Sequence, residues 1–349
     1  QVHLCCFGLY APANEVYLRQ LGVGTILGGE FETGLLALTN RLSFADKLDG
    51  DHAQPEPTIS LDRQIFLIPD RSGLPVLNDY AQLITPDGST VLAGYTEASR
   101  GCKYLCRHCP IVPVYNGRFR IVQKDIVLAD IRQQVEAGAQ HITFGDPDFF
   151  NGPGHAVPII EALHGEFPGL TYDVTIKIEH LLKYDQLLPI LRDTRCLFVT
   201  SAVESVDNQI LSKLDKGHTR EGFEQAALRL HEVGLILNPT FVSFTPWTTA
   251  QNYLQMLSSI RDLDLIDNVA PIQYAIRLLI PGGSRLLELP DVQDLVQPFD
   301  QSALYYPWQH PDPKIDKLYD KVYRLVYSHQ KEGGSRLALF DEIWGTVLE

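Results

Sequence analysis

The chain is 349 residues long, more than one ordinary domain needs, and predicts one large domain with attachments. Lys and Arg number 29 against 43 Asp and Glu, a net charge of −14, which argues against general binding to nucleic-acid phosphates or anionic membrane. An apolar fraction of 45% excludes global disorder, and no uninterrupted apolar run approaches the length of about 18 residues that a membrane span requires.

Residues 2–7 and 22–27 read as short strands, and Gly28-Gly29 leads into a helix over 31–42 with Glu30 and Glu32 at its positive N-terminus. Two strands and a helix do not bury a core alone, so residues 1–45 read as the tail of a small α/β domain. The chain opens at Gln1 without a methionine and closes at Leu348-Glu349, and both ends are expected to be trimmed. Residues 46–90 read as a linker and wrapping segment. It carries Asp49-Gly50-Asp51-His52 and Gln54-Pro55-Glu56-Pro57, then turns at Asp70-Arg71-Ser72-Gly73 and Asn78-Asp79-Tyr80 around a short apolar run at 65–68.

From residue 91 the alternation is regular. Strands are predicted at 91–98, 141–145, 171–177, 195–202, 235–242 and 269–279. Helices fall between them at 126–137, 157–165, 181–191, from Val206, at 220–233 and at 250–263. Strands separated by helices call for a parallel sheet with right-handed crossovers, an α/β fold whose strands are buried on both faces. The run Cys196-Leu197-Phe198-Val199 fits that burial. Residues 286–349 form a C-terminal extension, irregular at first. Asp312 then caps, and Pro313 opens, a helix reaching Gln330, and a second helix covers 337–344.

Six cysteines are too few for a disulfide scaffold, and three of them crowd into Ser99-Arg100-Gly101-Cys102-Lys103-Tyr104-Leu105-Cys106-Arg107-His108-Cys109-Pro110. That clustering points to a metal site in a reducing, cytoplasmic setting. Three thiolates on one loop are one short of a closed four-cysteine set, so an iron–sulfur cubane here keeps one iron open for a chelating ligand. A zinc site completed by His108 or a distant residue is the competing reading. The loop follows the first strand of the alternating region, where such folds carry their chemistry, and this favours the cluster.

The CxxxCxxC spacing of Cys102, Cys106 and Cys109 resembles the signature of the radical S-adenosylmethionine (SAM) superfamily, with His108 in place of its usual aromatic residue. The resemblance covers about residues 91–285 and implies a partial (β/α)6 radical SAM barrel. It also implies a [4Fe-4S] cluster on the three cysteines, SAM chelating the open iron through its amino and carboxylate groups, and His108 near adenine. Gly145-Asp146 stands where the superfamily usually carries a Gly-Gly-Glu-like motif that meets the methionine amino group. Lys177 and Glu179 after the third strand, and Glu204 after the fourth, fit the ribose hydroxyls or the methionyl group, and Arg277 on the sixth fits a carboxylate. No catalytic residue is singled out. Lys103, Arg107, Arg118, Arg120 and Lys124 make a basic patch suited to a flavodoxin or ferredoxin-type electron donor.

Gly24-Thr25-Ile26-Leu27-Gly28-Gly29-Glu30 with the helix after it is similar to the end of the cobalamin-binding-like domain that precedes many radical SAM barrels. The whole arrangement resembles the subgroup named for CUAEP or CCAEP tails, including the enzyme of arsinothricin biosynthesis. That implies transfer of a 3-amino-3-carboxypropyl group to trivalent arsenic. A cobalamin-dependent methyltransferase and a non-catalytic iron–sulfur or zinc protein are the alternatives. The expected partner is a small-molecule substrate, with no nucleic acid and no membrane.

Overall fold

The computed structural model describes residues 2–44, 56–85 and 88–349; of the linker and wrapping segment expected over 46–90, residues 46–55, 86 and 87 lie outside the described residues. In chain order the elements are β1 (Cys5–Phe7), α1 (Tyr10–Ala13), α2 (Glu15–Gln20), β2 (Thr25–Gly29), α3 (Glu32–Phe44), β3 (Ile59–Ser60), β4 (Gln82–Ile84), β5 (Thr90–Thr96) and β6 (Ser99–Gly101). There follow α4 (Val112–Tyr115), β7 (Phe119–Ile121), α5 (Lys124–Glu136), β8 (His141–Phe144), α6 (Pro153–Glu166), β9 (Thr171–Thr175), α7 (Ile178–Lys183), α8 (Leu188–Asp193) and β10 (Cys196–Glu204). The last are α9 (Asn208–Leu214), α10 (Arg220–Val233), β11 (Ile236–Phe241), α11 (Ala250–Asp262), α12 (Pro290–Gln293), α13 (Pro313–Glu332) and α14 (Arg336–Leu348). They fall into two compact units, each discontinuous in sequence. One comprises Gln1–Ile65, Gly101–Arg120 and Leu279–Trp308; the other comprises Phe66–Arg100, Ile121–Leu278 and Gln309–Glu349.

The first unit carries a three-stranded parallel sheet in the order β1-β2-β3. β2 is buried along its whole length, and Ile26 packs with Ala11 and Val23 in a small core that Cys6 and Leu18 flank. The glycines at its end are dictated by close approach. A Cβ on Gly28 would run into Pro12 of α1, and Gly29, at φ +69°, would meet the Ser60 carbonyl of β3. The two short helices α1 and α2 escaped the sequence reading, because one turn containing Pro12 and a six-residue helix show no apolar period.

The second unit is built on a six-stranded, curled half-barrel sheet in the order β11-β10-β9-β8-β5-β4. Five strands are parallel, and β4 joins the edge antiparallel to β5, inside a stretch expected to be irregular. Ile142, Phe144, Tyr172, Val174, Val199 and Leu237 alternate onto one face and enter a single core with the helices. The residues between them, Thr143, Thr175, Thr200, Asn238 and Thr240, are polar and half-buried. The expectation of two apolar faces is therefore corrected: this sheet carries helices on one side and polar side chains on the other.

The sixth strand is also corrected. Residues 266–275 form two 3-10 turns, and beyond them one isolated bridge joins Arg277 to Phe244. Pro271, without an N–H to give a ladder, opens the second turn, and the bridge is made by Phe244 N to Ile276 O at 2.9 Å and Leu278 N to Phe244 O at 2.8 Å. The helix expected over 181–191 is likewise split into α7 and α8, with Pro189 in the first turn of the second. The C-terminal helices follow their signals. Asp312 accepts from Lys314 N at 2.9 Å, and Ile315, Leu318, Val322 and Val326 of α13 join the core with Leu339, Phe340 and Ile343 of α14.

Candidate active site

In the first unit Cys102 and Cys106 are buried and Cys109 is half-buried, and none of the six cysteines, all among the described residues, is in a disulfide. Residues 102–111 belong to no helix or strand. A backbone bond within them runs from Cys109 N to Cys106 O at 3.2 Å, and Val112 N at the start of α4 reaches back to Cys109 O at 3.3 Å. Gly101 sits at φ +76° under Tyr115 and the Arg118 carbonyl, where a side chain would collide with both. The loop then enters α4, whose buried Tyr115 hydroxyl donates to Glu30 Oε1 at the end of β2, at 3.1 Å. His108, between Arg107 and Cys109, is half-buried.

In the second unit the candidate residues stand at the carboxyl ends of adjacent parallel strands, where a βα fold places polar groups over its sheet. Asp146, just after β8, is buried; its carboxylate accepts from Ala98 N at 2.8 Å and from Ser99 Oγ at 2.5 Å. Burial pushes its acid up to about 7 against the pull of those two donors. Gly145 beside it passes under the Tyr95 ring, and a Cβ there would overlap the phenol. Lys177 precedes α7 and pairs its Nζ with Glu179 Oε2 at 2.8 Å, while also reaching the Lys216 carbonyl at 3.4 Å. Glu204 ends β10 at a register shift, in left-handed backbone at φ +65°, and its carboxylate meets Lys216 Nζ at 3.4 Å. A buried non-glycine residue in that conformation marks a strained strand end.

Sequence reasoning missed four members of this cluster. Asp148 is buried, with its Oδ2 at 2.6 Å from His180 Nδ1. Lys216-Gly217-His218 forms the turn between α9 and α10. Gly217, at φ +78°, leaves room for the Glu179 carboxylate, with which a side chain would collide. His218 Nε2 donates to the Val203 carbonyl at 3.2 Å, and burial, then Lys216 and Lys177, push the imidazole down to about 4. The ring is therefore neutral, with its proton on Nε2. A glycine between a lysine and a histidine was the available signal. Arg277, by contrast, is engaged by α13: Nη1 lies 2.8 Å from Asp316 Oδ1, and the guanidinium rests 5.1 Å from the Tyr319 ring centroid.

Residues 96–247 match the sequence profile of the radical SAM superfamily. This segment is similar to a radical SAM domain. The cofactors that go with such a domain are a [4Fe-4S] cluster and SAM. Over 209 residues, 56% of this chain and 42% of the relative, it is 24% identical to a tRNA-2-methylthio-N(6)-dimethylallyladenosine synthase of Acinetobacter baumannii. The fold is similar to that of the cobalamin-dependent SAM radical enzyme OxsB with aqua-cobalamin bound (TM-score 0.64, 14% identity, 92% of this chain and 54% of that one). It is also similar to the radical SAM methyltransferase TsrM of Kitasatospora setae (TM-score 0.59, 16% identity, 74% and 55%). The chain thus spans about two fifths of the curated relative and a little over half of the solved ones. No helix among the described residues is long and apolar enough to cross a membrane.

The residues of the cysteine loop fit a cluster. Three thiols, two of them buried, give a cubane three ligands and leave one iron for SAM. Among the described residues no three His, Cys, Asp or Glu side chains are grouped around a single ion, and thiolates bound to separate irons of a cubane need not be. A corrinoid fits less well. Gly28 and Gly29 are packed against Pro12 and Ser60, and the cavity beside them, about 400 Å³ and lined by Glu30, Thr33, Arg41, Glu56 and Asp62, suits a smaller ligand.

Proposed function

We propose that this protein is a radical SAM enzyme that reductively cleaves SAM to modify a small molecule, with the barrel over residues 91–285, a remnant of a cobalamin-binding-like domain over 1–45, a linker and wrapping segment over 46–90 and a helical extension over 286–349. The observation that carries the reading is the three-thiol loop of a radical SAM domain, with two of its thiols withdrawn from solvent. When bound, the cluster supplies one electron to the SAM sulfonium and a C–S bond breaks. Cys102, Cys106 and Cys109 hold it, and burial keeps water from the sulfurs of Cys102 and Cys106. His108 lies against adenine. Asp146, carrying a proton up to about pH 7, meets the methionine amino group, while Lys177, Glu179 and Glu204 take the ribose or methionyl oxygens. Arg277 serves a substrate carboxylate only on leaving Asp316.

The finer assignment, aminocarboxypropyl transfer to trivalent arsenic in arsinothricin formation, draws its support from the subgroup resemblance. The likeness to OxsB and TsrM supports the second reading, cobalamin-dependent methyl transfer. The basic patch suits an acidic flavodoxin or ferredoxin as electron donor, within a cytoplasmic setting. Anaerobic turnover of cluster-loaded protein with a reductant separates these readings. 5′-Methylthioadenosine supports the arsenic route and 5′-deoxyadenosine ordinary cleavage, and S-adenosylhomocysteine supports methyl transfer. A loaded protein that yields none of the three contradicts an enzymatic role.

A further inference from the structure

The cysteine loop has no regular element to set its shape, yet two of its backbone carbonyls are held from far along the same unit. The Leu105 carbonyl, one residue before Cys106, accepts from Arg285 Nη1 at 2.7 Å. The Arg107 carbonyl, one residue after Cys106, accepts from Ser284 Oγ at 3.1 Å. The two donors are neighbours in sequence and bracket the central thiol, although they lie 180 and 177 residues further along the chain.

Both donors are themselves fixed. The buried Ser284 hydroxyl oxygen also accepts from Leu286 N at 3.3 Å, which caps the 3-10 turn Arg285–Glu288. Arg285 forks onto Glu288, Nε to Oε1 at 3.1 Å and Nη2 to Oε2 at 3.2 Å, and this holds the Glu288 carboxyl below its ordinary range. Gly283 turns the chain at φ +74°, close against Pro113 of α4, so that residues 284 and 285 meet the loop. The guanidinium is thus planted by one carboxylate and spends its remaining edge on the peptide beside Cys106.

We propose that Ser284 and Arg285 are positioning residues for the iron–sulfur ligand loop, fixing the arrangement of thiolates that retains the cluster. The proposal rests on the reading of Cys102, Cys106 and Cys109 as cluster ligands. A carbonyl freed from its donor lets the peptide beside Cys106 rotate, so the loop samples other shapes and the place of the central thiol is no longer fixed. Arg285 matters more than Ser284, because a hydrogen bond from a charged donor exceeds one from a neutral hydroxyl.

The test compares anaerobically reconstituted wild type with S284A, R285A and R285K. It follows the rate of iron loss to a chelator, the electron paramagnetic resonance line shape of the reduced cluster, and the thermal melting of each protein. Loss of a charge-assisted bond is expected to make R285A release iron about tenfold faster, with a broadened resonance, while melting stays near wild type. S284A is expected to release it a few-fold faster, and R285K to recover much of the retention through its ammonium. Variants that hold iron as long as wild type, with an unchanged line shape, overturn the proposal. So does iron loss in R285A that only tracks a lowered melting point and is not recovered by R285K. Wild-type protein that takes up no iron and sulfide overturns the ligand reading, and the clamp with it.

Discussion

The two units hold their candidate site residues in different ways. In the second, Asp146, Lys177 and Glu204 stand where β8, β9 and β10 end, and the regular succession of parallel strands delivers them there. In the first, the cysteines lie on chain without a period, secured by Tyr115 on Glu30 and by Ser284 and Arg285 on carbonyls of the loop. Local pattern places a group at a strand end, whereas long-range hydrogen bonds must shape a loop. Damage to the two units should therefore read out differently: cluster content for the first, stability and its pH dependence for the second.

The largest effect is expected in the first unit. Replacing Cys102, Cys106 or Cys109 by Ala should each abolish stable cluster incorporation, measured as iron and acid-labile sulfide, while the melting of the second unit stays in place. A variant that keeps its full cluster removes that cysteine from the ligand set.

Next comes the charged turn of the second unit. Lys216→Met removes the ammonium beside the buried Glu204 carboxylate and should cost about 3 kcal/mol in urea unfolding. An unchanged unfolding midpoint would show that water reaches that pair. Cluster content is the contrasting readout, since the lysine touches none of the loop's hydrogen bonds described above.

The pH dependence sharpens the same unit, because two of its groups oppose each other. Asp146 rises from 3.8 unfolded to about 7 folded, so its protonated form stabilises the fold below pH 4 and that contribution is lost as pH climbs through 7. His218 falls from 6.5 to about 4, so its contribution is present above 6.5 and lost as pH drops through 4. Asp146→Asn should flatten the loss of stability on the rising side and His218→Gln the loss on the falling side, each read from unfolding midpoints between pH 4 and 7. Identical pH profiles in the wild type and both variants would contradict both shifts.

The smallest effect concerns the exposed basic residues. Lys103→Glu should slow reduction by an acidic flavodoxin a few-fold at low salt and converge with wild type at high salt, as a screened surface charge does. A slowing that salt does not remove would point to damage in the loop.

Much of this was legible in the sequence. CxxxCxxC named the loop, Asp312-Pro313 marked the start of α13, and the strands before Asp146, Lys177 and Glu204 were located from their apolar runs. What escaped shares a physical cause, because it depends on contacts distant in sequence or on proline. Where the sixth strand was expected, Pro271 opens a 3-10 turn and one isolated bridge joins Arg277 to Phe244. Arg277 met Asp316 from a helix 39 residues on, which a strand pattern does not reveal. Asp148 with His180, and Lys216 with Glu204, meet only when the sheet curls, and the donors of the cysteine loop lie near residue 285.

Electron paramagnetic resonance of the reduced, anaerobically reconstituted protein, with and without SAM, is the most direct test of the central claim. The expected result is one cubane per chain whose spectrum changes when SAM is added, because an iron without a cysteine ligand takes the amino acid. Zinc without sulfide, or a cubane spectrum indifferent to SAM, would contradict it.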